Sequence, residues 1–363
     1  MSEMNTLSTE SFVLKEVSGR VGCITLNRPK ALNALSLSMV RDLTQALLEF
    51  QNNPQVLAVL VRGHGKESPF GHFCAGGDIR SIYESITSGG DEHTHFFRDE
   101  YILNEYIYTY PKPYIALMNG YVMGGGMGIS QGAKFRVLTE RSKISMPEVA
   151  IGFFPDVGGS HFLSKSPGSL GDYLALTGVT LNGEDALYAN LGDWILTSDQ
   201  IPEFLNKLEG LSSDSPAAEQ VQDILISLGA RNTPANPALQ EKREAIDAIF
   251  SLTSVADVIT QLDRAAVDGP AWIGETAQLM KQRSPIAMVG ARETIHRGKH
   301  LSISECFAME LALGARWIEV GDFVEGIRAL IIDKDNSPKW AYTLDELTEQ
   351  KVQDLFPMLP QIK

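Results

Sequence analysis

Short apolar runs and helix-spaced stretches take turns along the first two hundred residues. Apolar-rich runs at 12–17 and Val21–Leu26 flank a Ser18-Gly19 turn and predict two strands. A loop, NRPKALNAL, follows at 27–35. Met39, Leu43, Leu47 and Phe50 share one helical face, which predicts a helix over 37–50. The run at 56–61 is continuously apolar, as a strand covered on both sides requires. After a glycine-rich loop (63–78), helical spacing returns over 79–110 and breaks near Ser88-Gly89-Gly90; Pro111 and Pro113 close it. Tyr114–Met118 reads as a buried strand, the triplet Gly124-Gly125-Gly126 opens a small-residue helix, and short strands follow at 135–138 and 143–145. Repetition of strand, glycine turn and helix predicts an α/β fold with sites at strand ends.

The pattern changes beyond about residue 200. Strand-like runs become rare, and helical stretches are separated by polar breaks at 212–216 and 232–237. The expected division is a catalytic core over 1–210 and a helical region over 211–363 packed on it as cover.

Composition narrows the class. The 363 residues are 44% hydrophobic and 21% charged, an ordinary globular balance. A net charge of −14 argues against a nucleic-acid partner. A small anionic ligand is still admissible, because a local nest of backbone N–H groups holds one against the global field. Cys23, Cys74 and Cys306 are scattered, without disulfide or metal-ligand spacing, which fits a reducing compartment. The start, MSEMNTLSTESF, has neither a signal-peptide nor a transit-peptide pattern, and no apolar run reaches membrane-spanning length. The expectation is a soluble cytoplasmic protein with no membrane partner.

Two motifs carry chemistry. FCAGGD (73–78) and MGGGMG (123–128) each follow a strand and open a helix, where unpaired N–H groups and the positive end of the dipole lie. Facing each other, they would place two donors on one oxygen, an oxyanion hole. Tight helix–strand packing serves either turn alone equally well. The triplet is no phosphate-binding Walker loop, since no Lys-Ser/Thr follows it. The second motif, SMPEVAIGFFPDVGGS (145–160), sets Glu148 and Asp156 among apolar residues and glycines, where a carboxyl holds its proton and can act in proton transfer or attack. A helix cap for Asp156 and a surface position for Glu148 are the plainer readings. His93 and His95 lie in a polar break, His161 is as well explained by packing, and Tyr101, Tyr106, Tyr108 and Tyr110 read as core and helix surface. No Gly-x-Ser-x-Gly elbow occurs.

Four segments in this order, NRPKALNAL, FCAGGDI (73–79), NGYVMGGGMGIS (119–130) and MPEVAIGFFPDVGG (146–159), resemble the crotonase (enoyl-CoA hydratase/isomerase) superfamily over roughly residues 12–200. The resemblance implies a spiral of ββα repeats binding acyl-CoA, with the oxyanion donors on Gly77 and Gly125. It implies that Glu148 matches one acid of the hydratases, whereas the position of the other is Gly128. FPDVGG and the ending from Asp322 to Trp340 are similar to 3-hydroxyisobutyryl-CoA hydrolases, which extends the resemblance to nearly the whole chain. On that footing the chain would cut 3-hydroxyisobutyryl-CoA, a thioester of valine breakdown, into 3-hydroxyisobutyrate and CoA. Glu148 and Asp156 would be catalytic with Gly77 and Gly125, and Glu100 would line the acyl pocket. Arg28 and Lys30 would lie near the CoA. Phe153, Phe154, Tyr121 and Met123 suggest a compact acyl pocket. No cofactor and no metal is implied, CoA being part of the substrate. A homo-oligomer is one expectation, since the family forms trimers or hexamers; this longer branch could equally be a monomer or dimer. An enoyl-CoA hydratase or isomerase, or a non-catalytic acyl-CoA binder, are the alternatives.

Overall fold

The computed structural model describes residues 11–66, 68–348 and 350–352; most of the stretch read for targeting signals (1–10) and the end of the helical region (353–363) lie outside the described residues. β1 (Val13–Ser18) and β2 (Val21–Leu26) form the antiparallel hairpin, with Val13 opposite Leu26. From β2 onward the sheet is parallel, through β3 (Ala58–Gly63), β4 (Tyr114–Met118), β6 (Phe135–Leu138) and β8 (Trp194–Ile195), in the order β1-β2-β3-β4-β6-β8. A second, two-stranded parallel sheet pairs β5 (Tyr121–Met123) with β7 (Lys143–Ser145). β5 is absent from the sequence pattern, because three residues are too few to show a period of two.

Alternate residues of each central strand serve opposite layers. Val59, Val61, Tyr114, Ala116 and Met118 point to one apolar cluster, and Ala58, Leu60, Ile115 and Leu117 to another. Both faces are therefore covered, which is why β4 is buried along its whole length. The larger layer begins with α1 (Leu37–Asn52), whose start is capped by the Ser36 hydroxyl accepting from the Met39 N–H at 3.3 Å. The predicted helix over 79–110 is two helices, α2 (Ile79–Thr87) and α3 (Glu92–Tyr108), parted at the Ser88-Gly89-Gly90 break. The short helices α4 (Gly125–Gln131), α5 (Gly159–Ser164), α6 (Leu170–Thr177) and α7 (Gly183–Tyr188) follow.

The helical remainder divides in two. α8 (Ile201–Glu209) and α9 (Ala217–Ser227) cover the smaller face of the sheet with Ile201, Phe204, Leu208, Val221 and Leu225. α10 (Ala238–Phe250), α11 (Val255–Ala265), α12 (Ala271–Lys281), α13 (Pro285–Gly298), α14 (Ile303–Val320) and α15 (Phe323–Ile327) join the larger cluster, which runs from Val13 to Ile327. α13 packs on α5 and α6, and α14 on α3 and α5. Those are the elements that flank the candidate site.

Candidate active site

Backbone bonds bring the two glycine turns together. The Cys74 N–H donates to the Tyr121 carbonyl and the Met123 N–H to the Cys74 carbonyl, both at 3.0 Å. On the other side Leu35 donates to Gly76 and Asp78 to Leu35, each at 2.8 Å. Between those bonds the Gly77 N–H donates to no described carbonyl outside its own turn. Gly125 is the first residue of α4, so its N–H has no carbonyl one turn behind it in the helix. A Cβ placed on Gly125 would lie 3.3 Å from the Gly77 nitrogen. The turns thus face each other, with their free N–H groups on a common cavity. Gly76 (φ 111°) and Gly124 (φ 46°) hold left-handed backbone that favours glycine.

That cavity has a volume of about 370 Å³ and contains Gly77, Gly125, Glu100, Glu148 and Asp156 in its lining. Glu148 opens a 3₁₀ turn (Glu148–Ile151) after Pro147; Asp156 lies in the loop before α5; Glu100 comes from the middle of α3. All three are buried, with 7%, 6% and 2% of their surface exposed. Glu148 is therefore no surface acid, and the cap of α5 is Gly158 rather than Asp156. Oε1 of Glu100 and Oε2 of Glu148 have no protein hydrogen bond. Oδ2 of Asp156 accepts from the Tyr101 hydroxyl at 2.7 Å.

No Lys, Arg or His lines the cavity among the described residues, so the acids have no counter-ion there. Burial pushes Glu148 well above the usual carboxyl range, and Asp156 adds to the effect. Glu100 is raised by burial, then by Asp156 and Glu148. Asp156 is pushed up to about 6 by burial, against the Tyr101 hydrogen bond that favours its ionised form. Glu148 and Asp156 titrate as one pair, and like charge keeps both from ionising together. Opposing them to two free N–H groups creates a place where a carbonyl oxygen can gain charge while a carboxylate acts on its carbon.

The remaining expected residues scatter. Phe153 and Met123 line the cavity. Phe154 packs behind them against Trp317, with ring centres 5.4 Å apart, and Tyr121 lies tilted against His72. Arg28 is committed to structure: its guanidinium pairs with Asp78 at 2.7 Å and donates to the Ala34 carbonyl. Lys30 is exposed. A second cleft of about 390 Å³ opens beside their loop, between Pro29, Leu32, His64, Lys66, His72 and Arg141. His93 is bonded to Ser85, and His161 meets Lys165 and Tyr108 rather than the cavity.

The structure adds residues that the sequence reading left in the core. Tyr101 holds Asp156. Phe323, Leu330 and Ile331 reach the cavity from the C-terminal end, so the helical cover supplies part of the wall. At Gly128 a Cβ would meet Nδ2 of Asn104 at 2.6 Å and Cβ of Val157 at 2.8 Å. No side chain fits there in this packing, acidic or otherwise. Among the described residues no group of three or more His, Cys, Asp or Glu is placed to hold a metal ion, and no helix is long and apolar enough to cross a membrane.

With this geometry in place, comparison with known proteins is informative. The family described as Enoyl-CoA hydratase/isomerase matches residues 21–356. The protein named 3-hydroxyisobutyryl-CoA hydrolase, mitochondrial, from Danio rerio is 41% identical over 355 residues, which cover 97% of this chain and 91% of the relative. The protein of the same name from Gallus gallus is 36% identical over 351 residues, covering 96% and 89%. A solved structure called a carnitinyl-CoA dehydratase, from Mycobacterium thermoresistibile, superposes with a TM-score of 0.85 at 40% identity, covering 95% of this chain and 96% of that one. The chain belongs to the enoyl-CoA hydratase/isomerase family, in the branch of the 3-hydroxyisobutyryl-CoA hydrolases. The expectation of a cytoplasmic location is overturned by the same relatives, which are named as mitochondrial enzymes. Cysteine usage reports only a reducing environment, which more than one compartment provides.

Proposed function

We propose that the chain hydrolyses the thioester of a short 3-hydroxyacyl-CoA, foremost 3-hydroxyisobutyryl-CoA, to the free hydroxy acid and CoA. The observation that carries this reading over the hydration suggested by the dehydratase name is the closed space at Gly128. The hydratase pair of acids would need a carboxylate there, and Asn104 and Val157 occupy its place.

The thioester carbonyl accepts from the N–H groups of Gly77 and Gly125. Asp156 ionises first and Glu148 holds the pair's proton; as substrate binds, that proton passes to Asp156 and the Glu148 carboxylate attacks the carbonyl carbon or takes a proton from a water that does. The resulting oxyanion is held by the two donors until the C–S bond breaks and CoA thiolate leaves. If Glu148 is the nucleophile, the product of this step is a mixed anhydride, which water splits to return the carboxylate. Asp156 supplies the proton that the thiolate requires. Glu100, protonated and unpaired, is a donor for the 3-hydroxyl group. Phe97, Phe153, Phe323 and Ile331 limit the acyl group to a short one. The cleft at His64, Lys66 and Arg141 suits the nucleotide end of CoA better than Arg28, whose charge is already spent on Asp78.

Glu148→Gln tests the reading. Thiol release from 3-hydroxyisobutyryl-CoA, set beside 3-hydroxypropionyl- and crotonyl-CoA, is expected to fall by about 10³-fold or more. A folded variant with near-wild-type release would refute the role of Glu148. Crotonyl-CoA hydrated with its thioester intact would refute the reaction itself. Label from isotopic water found in the Glu148 carboxylate after one turnover distinguishes attack by Glu148 from attack by water.

A further inference from the structure

The turn carrying Asp156 departs from ordinary backbone. Val157 has φ 52° and Gly158 has φ 88°, so two successive residues are left-handed. Glycine adopts that region freely, but a β-branched residue does so only when its surroundings impose it. The surroundings here include Glu310, on α14 and more than a hundred residues further along the chain. Its side chain is fully buried. Oε2 accepts from the Gly158 N–H at 2.7 Å, and Oε1 accepts from the Ser160 N–H at 2.9 Å and the Ser160 hydroxyl at 2.5 Å. Phe307, one turn earlier on α14, closes the arrangement: its ring lies 3.2 Å from where a Cβ on Gly158 would be and 5.9 Å, centre to centre, from Tyr101.

Burying a carboxyl is costly unless donors satisfy it, and three donors from one short turn converge on this one. None of its contacts reaches the acyl cavity, and Glu310 is not in the cavity lining. Asp156 is thus gripped twice, at its carboxylate by Tyr101 and at its backbone by Glu310. We infer that Glu310 is a positioning residue of the reaction proposed above: it holds the Val157–Gly158 turn left-handed, so that Asp156 faces Glu148 across the acyl cavity. The inference rests on that proposed reaction for its catalytic consequence, but the clamp itself can be read without turnover.

Glu310→Gln in the full chain replaces one acceptor oxygen by an amide that faces an N–H group. The expected result is a fall in kcat for 3-hydroxyisobutyryl-CoA of about 10²-fold, with KM changed by less than about threefold, since the oxyanion turns and the CoA cleft are untouched. Amide exchange followed by mass spectrometry should quicken at residues 156–160. Adding Val157→Gly to the same chain should return kcat by about tenfold or more, because glycine keeps φ near 52° without help. An unchanged kcat in folded Glu310→Gln overturns the inference. So does a loss of kcat that tracks lost folded protein and is not rescued at 157, which would make Glu310 a fold-stabilising residue only. Should Glu310→Gln not fold, Ser160→Ala removes one of the three bonds. A kcat lowered about two- to tenfold at constant KM supports the clamp, and an unchanged kcat overturns it. A wild-type chain that releases no thiol defeats the proposed reaction instead. The exchange measurement then decides the clamp alone, and unaltered exchange at 156–160 overturns it.

Discussion

The glycine turns and the acidic wall opposite them are held by different means. Gly77 and Gly125 present main-chain N–H groups, and the bonds that join their turns, among Leu35, Gly76, Cys74, Tyr121 and Met123, are mainly backbone to backbone. Side chains hardly enter, so this half of the site is set by where glycine permits close approach. Across the cavity, Glu100, Glu148 and Asp156 act through side chains that share no counter-ion, and Asp156 depends on Tyr101 and on the distant α14. One half is tied by main-chain bonds to the strands it grows from. The other is a cluster of acids whose pKa values are raised by burial, and it is correspondingly sensitive to pH and to its supports.

The largest expected contrast between the halves lies in stability against pH. Glu100, Glu148, Asp156 and Glu310 all have raised pKa values, with burial as the leading cause; Asp156 reaches about 6 and Glu310 about 8. Above the ordinary carboxyl range the folded chain therefore binds more protons than the unfolded one, and stability falls as pH rises. The stabilisation is complete below about pH 4 and is lost through about 6 and about 8, with a slope of about 1.4 kcal/mol per pH unit for each proton of difference. Melting temperatures taken from pH 5 to 8.5 should decline, and Glu310→Gln should flatten the upper part of that decline. A melting temperature that climbs over this range would contradict the burial account.

Next in size is a substitution that sets the two halves against each other. A Cβ on Gly125 would lie 2.5 Å from Oε1 of Glu100, so Gly125→Ala should drive the acid from its place and disturb the donor at once. About 10²-fold in kcat/KM is expected, with a melting temperature close to wild type because the carboxyl tip can yield. Equal activity in thiol-release assays would show the contact to be slack. The smallest effect belongs to a single support. Tyr101→Phe removes the hydrogen bond that favours ionised Asp156, so the acid limb of the pH–rate profile should move upward from about 6, while kcat falls about tenfold or less. A limb that stays in place would reduce Tyr101 to packing.

The two halves were also unequally legible in the sequence. Glycine turns after β3 and β4 announce themselves, because the residue type is itself the backbone requirement. Glu148 and Asp156 stand out as acids in an apolar stretch. Tyr101 and Glu310 do not, because their partners lie far along the chain and helical spacing alone reads them as surface or core. A trace exists for Glu310: Cys306, Phe307, Leu313 and Gly314 place it on the buried face of α14, where an acid has to be satisfied by something. Phe323, Leu330 and Ile331 left no such trace, since their place in the wall depends on how the C-terminal turn folds back over the cavity. The strand β5 escaped for want of length, and the location was misread because composition does not identify one compartment among several.

The crowding at Gly128 limits what one substitution can do there. An acid placed at 128 would collide with Asn104 and Val157, so room for it requires those neighbours to move. Val157 is also the residue held left-handed beside Asp156, so relaxing position 157 to make room at 128 would loosen Asp156 as well. The packing at 128 and the backbone at 157 are in that respect one unit, and a change at either position is felt at Asp156.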